Sequence, residues 1–394
     1  MNPHASAKDP IQKWEIKAST GRHFDALDGL RGVAILMVVI HHTFYTNPTN
    51  RLMKGIEGLI EAGWIGVPVF FVLSGFLISY PFFQAREKNS RAWYVNGYAR
   101  RRIGKIIPPF YLSIVIFWVL YLFQYHDFAY VNAGAQWALG LPNFIVQARN
   151  FNLSYWSLVV EVHFYILLPL LFWLTRGMKT RPASWMIFFI LAVVPPVVRH
   201  LTWPSDPAMA ADQKITGFLM IRFPCELDYF AWGVLFGGWF VSLAAMREKM
   251  KHLAALGYAG ILLFAVTLCL FSKWAWQYGI AAQPRLWSVE FFHWAPGISA
   301  FLMLFFVFDP DCAAARLLGL GWLRFIGLVS YEWFLFHGPV VRWFAEVYGK
   351  THGSAFDYLM KTVVPLALTF VFSVALYRWF SLPIMNRIRA TVKR

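Results

Sequence analysis

The chain has 394 residues, of which 58% are hydrophobic, 19% aromatic and 14% charged, and its mean hydropathy of +0.50 lies outside the range of water-soluble globular domains. A formal charge of +16 would suit nucleic acid if the basic residues formed one face. They fall instead in short clusters between apolar stretches, so the expected partner is the lipid bilayer and not nucleic acid.

The first 22 residues are polar and charged, without a short apolar core before a small-residue cleavage site, so no signal peptide is expected. About 20 apolar residues are needed to cross the hydrocarbon core as a helix. Ten such stretches occur, near 30–46, 64–83, 107–125, 156–174, 185–200, 222–243, 253–272, 291–308, 323–344 and 363–383. The expected fold class is therefore all-α: a polytopic helical membrane protein of about ten transmembrane helices. With a cytoplasmic N-terminus, the inside segments carry 22 Lys and Arg and the outside segments eight, a positive-inside bias that places both termini in the cytoplasm. The expected organisation is a cytoplasmic tail over 1–29, a membrane domain over 30–384 and a basic cytoplasmic tail over 385–394. No linker, low-complexity tract or convincing internal repeat is visible. Cys225, Cys269 and Cys312 stand far apart, which gives neither a disulfide framework nor a metal site.

Ionisable side chains at membrane depth are costly, so each is a functional candidate. The first span reads LDGLRGVAILMVVIHH and carries Arg31, His41 and His42. Arg31 sits at its cytoplasmic edge, as a topology anchor or an anion contact. His42 lies roughly 16 Å farther out at 1.5 Å per residue. Before the third span comes YARRRIGKIIPPFY, with Arg100, Arg101, Arg102 and Lys105. These suit phosphate groups, or lipid headgroups as a positive-inside anchor. The fourth span, WSLVVEVHFYILLPLL, places Glu161 about one and a half turns below the outer surface, at a depth that matches His42. A carboxylate there would make His42 a general base, or the two would form a structural ion pair. His163 faces another side of that helix. The sixth span carries Arg222, Glu226 and Asp228 near its outer end. The ninth carries Ser330, Tyr331, Glu332, His337 and Arg342. These residues are helix-helix glue or the lining of a polar cavity.

Taken together, these residues resemble the acyltransferase 3 family of integral-membrane O-acyltransferases, across nearly the whole chain. The family opens with LDGLRG and a His eleven residues after the Arg, matched by Arg31 and His42. A GV-FF-SGF segment follows, matched from Gly66 to Ser79 and including Ser74. Then come a basic run before Pro and Tyr, matched from Arg100 to Tyr111, and WSL-E-FY, matched by Trp156, Ser157, Leu158, Glu161, Phe164 and Tyr165. An SY segment followed by a His is matched by Ser330, Tyr331 and His337. The basic run departs from the family where it has Lys105 in place of a second Arg, which keeps the charge and loses the bidentate fork. The chain resembles the stand-alone form, without an appended hydrolase-like domain.

The resemblance implies acyl transfer from acyl-CoA, with acetyl-CoA the expected co-substrate and no bound cofactor or metal. The expected acceptor is a hydroxyl of a carbohydrate, glycolipid or macrolide-like molecule, approached from the outer side of a bacterial inner membrane. Arg31 and the 100–105 cluster would hold the CoA phosphates. His42, oriented by Glu161, would take the hydroxyl proton, and Ser330, Tyr331 or His337 would donate to the developing oxyanion. Residues His41, Ser74, Trp156, Ser157, Tyr165 and Asp228 complete the expected support and acceptor side. Direct transfer and a covalent acyl-His42 both remain open. The alternative from another class is a proton-coupled secondary transporter or exporter, which would also use intramembrane His, Glu and Arg.

Overall fold

The computed structural model describes residues 24–44, 59–60, 62–88, 97–125, 133, 135–136, 151–152, 154–204, 223–270, 286–347 and 355–392. Arg222 and most of the loops whose Lys and Arg set the expected orientation lie outside these residues. Every regular element among them is helical, as hydrocarbon requires of a chain that must satisfy its own backbone donors and acceptors.

In order, the helices are α1 (Asp25–Phe44), α2 (Gly66–Glu87), α3 (Tyr98–Tyr125), α4 (Tyr155–Leu174), α5 (Thr180–Thr202), α6 (Leu227–Ser242), α7 (Ala255–Leu270), α8 (Leu286–Met303), α9 (Ala313–Leu318), α10 (Gly321–Leu328), α11 (Ser330–Val347), α12 (Ala355–Leu376) and α13 (Leu382–Val392). Short 3-10 segments precede α2 and α7 and follow α8, and one π turn joins α12 to α13. Seven helices among the described residues are long and apolar enough to cross a bilayer. They are Asp25–Thr43, Ala62–Glu87, Tyr98–Gln124, Tyr155–Leu174, Thr180–Thr202, Glu248–Leu270 and Met360–Ile388. The other three expected stretches also fall on helices. Of these, α6 is short at 16 residues, α8 continues as the short apolar run His293–Phe308, and α11 carries Glu332, His337, Arg342 and Glu346. The chain is a multi-pass helical membrane protein whose outer faces show Phe123, Ile166, Leu201 and Trp379, each more than 70% exposed. Apolar side chains turned outward suit a lipid solvent.

Two backbone crossings set the frame, both through glycine. At the first, α1 lies on α9 and α10 so closely that a Cβ at Gly29 would meet the Leu318 carbonyl oxygen at 1.7 Å, and one at Gly32 the Leu323 oxygen at 2.3 Å. Gly327 returns the contact on the Asp28 oxygen at 1.9 Å. The glycines of LDGLRG are thus needed for helix packing, as small residues are wherever membrane helices touch backbone to backbone. At the second, α6 packs along α2 and α5, with Gly75 against the Phe230 oxygen and Gly233 against the Val72 oxygen. Phe230 then stacks on Phe71 and Phe164, at centroid distances of 4.7 and 4.1 Å.

The remaining frame is a seam of α1 and α11, buttressed by α3, α4 and α12. Arg31 Nη2 donates to Ser330 Oγ at 3.4 Å, and eleven residues on, His42 meets His337 at 2.7 Å. The two helices therefore run in the same direction. α3 runs with them: the Tyr331 hydroxyl donates to the Ile106 oxygen at 2.8 Å, and farther along Phe117 meets Phe336. Trp333 Nε1 donates to Thr369 Oγ1 at 3.0 Å and ties the seam to α12.

Candidate active site

A cavity of about 100 Å³ opens where α1, α2, α3, α4 and α11 converge. Its polar lining is Arg31 from α1, Ser74 from α2, Arg102 and Lys105 from α3, Ser157, Glu161 and Tyr165 from α4, and Ser330 and Tyr331 from α11. Five sequence motifs spread along the chain from Arg31 to Tyr331 thus meet in one space. Helical period explains which members of each motif arrive. Arg102 and Lys105 are three apart and share a face, whereas Arg100 is exposed, and neither it nor Arg101 lines the cavity. Of the expected donor cluster, Arg31, Arg102 and Lys105 therefore line the cavity. The Arg102 guanidinium lies 5.6 Å from the Tyr165 ring centroid, a cation–π contact that fixes its direction. Among the described residues, three cations face a single carboxylate, that of Glu161. Ser74 Oγ donates to Glu161 Oε1 at 2.5 Å, so the SGF serine holds that carboxylate.

The pairing of His42 with Glu161 expected from matched depth does not occur. α2 starts level with His41, since a Cβ at Gly63 would meet the His41 Cβ at 3.1 Å. Ser74 lies eleven residues farther along the reverse direction, roughly 16 Å lower at 1.5 Å per residue. Glu161, bonded to Ser74, therefore sits near the level of Arg31 and not near His42. The depth estimate failed because it took Trp156 as the outer surface. The entry to α4 is sunk into the protein: Phe151, Asn152 and Ser154 are buried, and Asn152 Nδ2 donates to the Leu335 oxygen at 2.8 Å. Counting turns from Trp156 placed Glu161 about three turns too far out, at 5.4 Å per turn.

His42 is paired with His337 instead, Nδ1 to Nε2 at 2.7 Å. His337 is fully buried, and its Nδ1 lies 3.0 Å from the Trp333 carbonyl oxygen one turn back on α11. The expected oxyanion role of His337 is corrected by this geometry, since both of its ring nitrogens are engaged. Tyr331 likewise spends its hydroxyl on Ile106, which leaves Ser330 beside Arg31. His41 is buried against the Ile60 oxygen at 3.3 Å, next to His42 with ring centroids 5.4 Å apart. Phe334 connects the two levels, because it lines the cavity and its ring lies 5.9 Å from that of His337.

Besides His41 and His337, the expected support residues Trp156 and Asp228 lie outside the cavity lining. Trp156 packs edge-on against Phe71 at 6.1 Å, one layer behind the wall. Asp228 belongs to a separate buried cluster in which its two oxygens take Arg199 Nη2 at 2.9 Å and His293 Nε2 at 3.0 Å. Arg199 also donates through Nη1 to the Cys225 oxygen, and His293 stacks on Tyr229 at 4.3 Å. This ties α5, α6 and α8 together, which is the helix-helix glue that is one of the two expected readings of Asp228. Neither Arg199 nor His293 was singled out in the sequence, although an ionisable residue inside an apolar stretch is the signal that marks both. His163 turns away from the cavity as expected, bonded to the Val159 oxygen and stacked on Phe223. Among the described residues no group of His, Cys, Asp and Glu could hold a metal ion.

A bundle of membrane helices around a cationic cavity, with a histidine pair above it, defines a polytopic helical membrane protein with a charged interior site. The chain belongs to the family described as "Acyltransferase domain", whose model matches residues 24–378. Among curated proteins it is similar to the peptidoglycan O-acetyltransferase OatA of Listeria monocytogenes, 25% identical over 92% of this chain and 56% of that protein. It is also similar to the putative peptidoglycan O-acetyltransferase YrhL of Bacillus subtilis, 26% identical over 82% of this chain and 50% of the other. A third relative is the O-acetyltransferase OatA of Staphylococcus aureus, 21% identical over 94% and 58%. The chain spans about half the length of the curated relatives it matches. No solved structure matches it.

Proposed function

We propose that the protein is an O-acyltransferase of the bacterial cell membrane that moves an acyl group, acetyl in the first instance, from acyl-CoA to a hydroxyl of an envelope carbohydrate. The observation that carries this reading is the cavity, where Arg31, Arg102 and Lys105 face one carboxylate at one end of the α1–α11 seam while His42 waits at the other. Three cations suit the phosphates of CoA. A donor anchored there must extend about 16 Å along α1 to bring its thioester to His42, and it must pass Phe334. The peptidoglycan named for two relatives makes a cell-wall glycan the first acceptor to try.

In the chemical step, His42 Nε2 takes the acceptor hydroxyl proton as the oxygen attacks the thioester carbonyl carbon. The C–S bond breaks, the ester forms, and the proton passes from His42 to the departing thiolate. Glu161 and Ser74 act at the donor level. Glu161 offsets part of the positive charge of the cavity and holds the polar wall in place.

The test uses membranes containing the full chain, supplied with acetyl-CoA labelled in the acetyl group, with label followed into envelope carbohydrate. The expected result is CoA-dependent labelling that is lost in His42→Ala while the protein remains in the membrane. Labelling that survives His42→Ala, or solute movement that ignores CoA, would overturn the proposal, the latter in favour of a proton-coupled transporter.

A further inference from the structure

His42 and His337 form a chain of imidazoles whose direction follows from its far end. A carbonyl oxygen only accepts hydrogen bonds, so the contact between His337 Nδ1 and the Trp333 oxygen at 3.0 Å requires the proton of neutral His337 on Nδ1. Nε2 of His337 is then an acceptor. The group facing it at 2.7 Å is His42 Nδ1, which must donate, and this leaves the lone pair of neutral His42 on Nε2. The anchoring carbonyl is held as well, because Trp333 is itself buried and bonded through Nε1 to Thr369 at 3.0 Å.

We propose that His337 is the positioning residue of the site, which fixes the tautomer and ring orientation of His42 so that Nε2 is its basic nitrogen. The inference deepens the acyl-transfer reading and rests on it for its kinetic consequence. When His42 takes a proton on Nε2, both its nitrogens carry hydrogen, and His337 Nε2 is already placed to accept from the resulting imidazolium. A neutral imidazole thus fills the place where a carboxylate was expected, backed by a backbone carbonyl. No charge has to be buried beside His42 in the resting state, which is the less costly arrangement at membrane depth. The neighbouring His41 turns its Nδ1 to the Ile60 oxygen.

The experiment has two arms on full-length protein in lipid nanodiscs. In the first, histidine is labelled with 15N, and the His42 signals are assigned by comparison with His42→Gln. Nitrogen NMR then shows which ring nitrogen lacks a proton. The expected result is Nε2 in the wild type, with the preference lost in His337→Leu. An unprotonated Nδ1 in the wild type overturns the proposal whatever the protein acylates. In the second arm, His337→Gln keeps an acceptor for His42 Nδ1 and retains transfer. His337→Leu lowers kcat about 100-fold, the low end of what a positioned base supplies, with KM for acetyl-CoA unchanged. Should His337→Leu fail to reach the membrane, the wild-type tautomer and the His337→Gln rate still decide. Loss of activity in His337→Gln equal to that in His337→Leu would also overturn the proposal. If instead His42→Ala itself transfers normally, the acyl-transfer role of His42 fails while the tautomer result stands.

Discussion

Asp228→Asn removes a charge from a place where Arg199 is 1% exposed, Asp228 2% and His293 6%. The substitution keeps the shape of the side chain, so the loss is electrostatic. Asp228 holds two partners, at 2.9 and 3.0 Å, and an amide offers one accepting oxygen without charge where the carboxylate offered two. Deleting one member of a buried ion pair typically costs about 3–5 kcal/mol, because the remaining charge stays buried without its counter-charge. The upper part of that range applies here, since both partners lose the carboxylate. Thermal unfolding of purified protein in detergent is the assay, alongside acetyl transfer per folded molecule below the transition. The expected outcome is a clearly lowered thermal midpoint with transfer unchanged while the protein is folded. In the double variant with Arg199→Met, the destabilisation falls short of the sum of the single losses by about 1 kcal/mol or more, as coupled residues require. An unchanged midpoint, or full folding with transfer lost, would return Asp228 to the acceptor site and refute the assignment of a purely structural role.

Other outcomes follow from the same geometry. Gly29→Ala drives a Cβ to 1.7 Å from the Leu318 oxygen, and such overpacking costs about 1–3 kcal/mol and displaces Arg31 along with α1. Thermal unfolding and transfer should both suffer, while Gly177→Ala, with nothing within 4 Å, serves as the silent control. Arg102→Ala and Lys105→Ala should each raise KM for acetyl-CoA roughly tenfold or more, from the ~1.5–3 kcal/mol of one charge-assisted hydrogen bond. Arg100→Ala should leave KM alone, because Arg100 is exposed away from the cavity. Equal effects at Arg100 and Lys105 in initial-rate measurements would count against the cavity as the donor site.

Composition and period made the class of the protein legible. A bilayer demands runs of about 20 apolar residues with an internally bonded backbone, and both demands are written locally. The motif residues that reach the cavity, Arg31, Ser74, Ser157, Glu161, Tyr165, Ser330 and Tyr331, were all marked in the sequence, because polar groups are conspicuous against an apolar background. Within the basic run the sequence alone did not separate Arg102 and Lys105 from Arg100 and Arg101, since which face of α3 turns inward depends on what packs against it.

What tertiary structure alone decided is pairing and depth. Turn counting from Trp156 assumed that α4 enters from the surface, whereas its first turn is sunk against Leu335, and no local signal records how far one helix slides along another. That shift moved Glu161 to Ser74 and gave His42 to His337. Asp228 went the same way, to Arg199 and His293 on helices that are distant in the chain. The sequence by itself determined a many-spanning helical protein with a basic end and a histidine end on its first helix. Packing of the other helices decided which partner each charge meets, because a buried polar group must find a neighbour and only the fold brings one within reach.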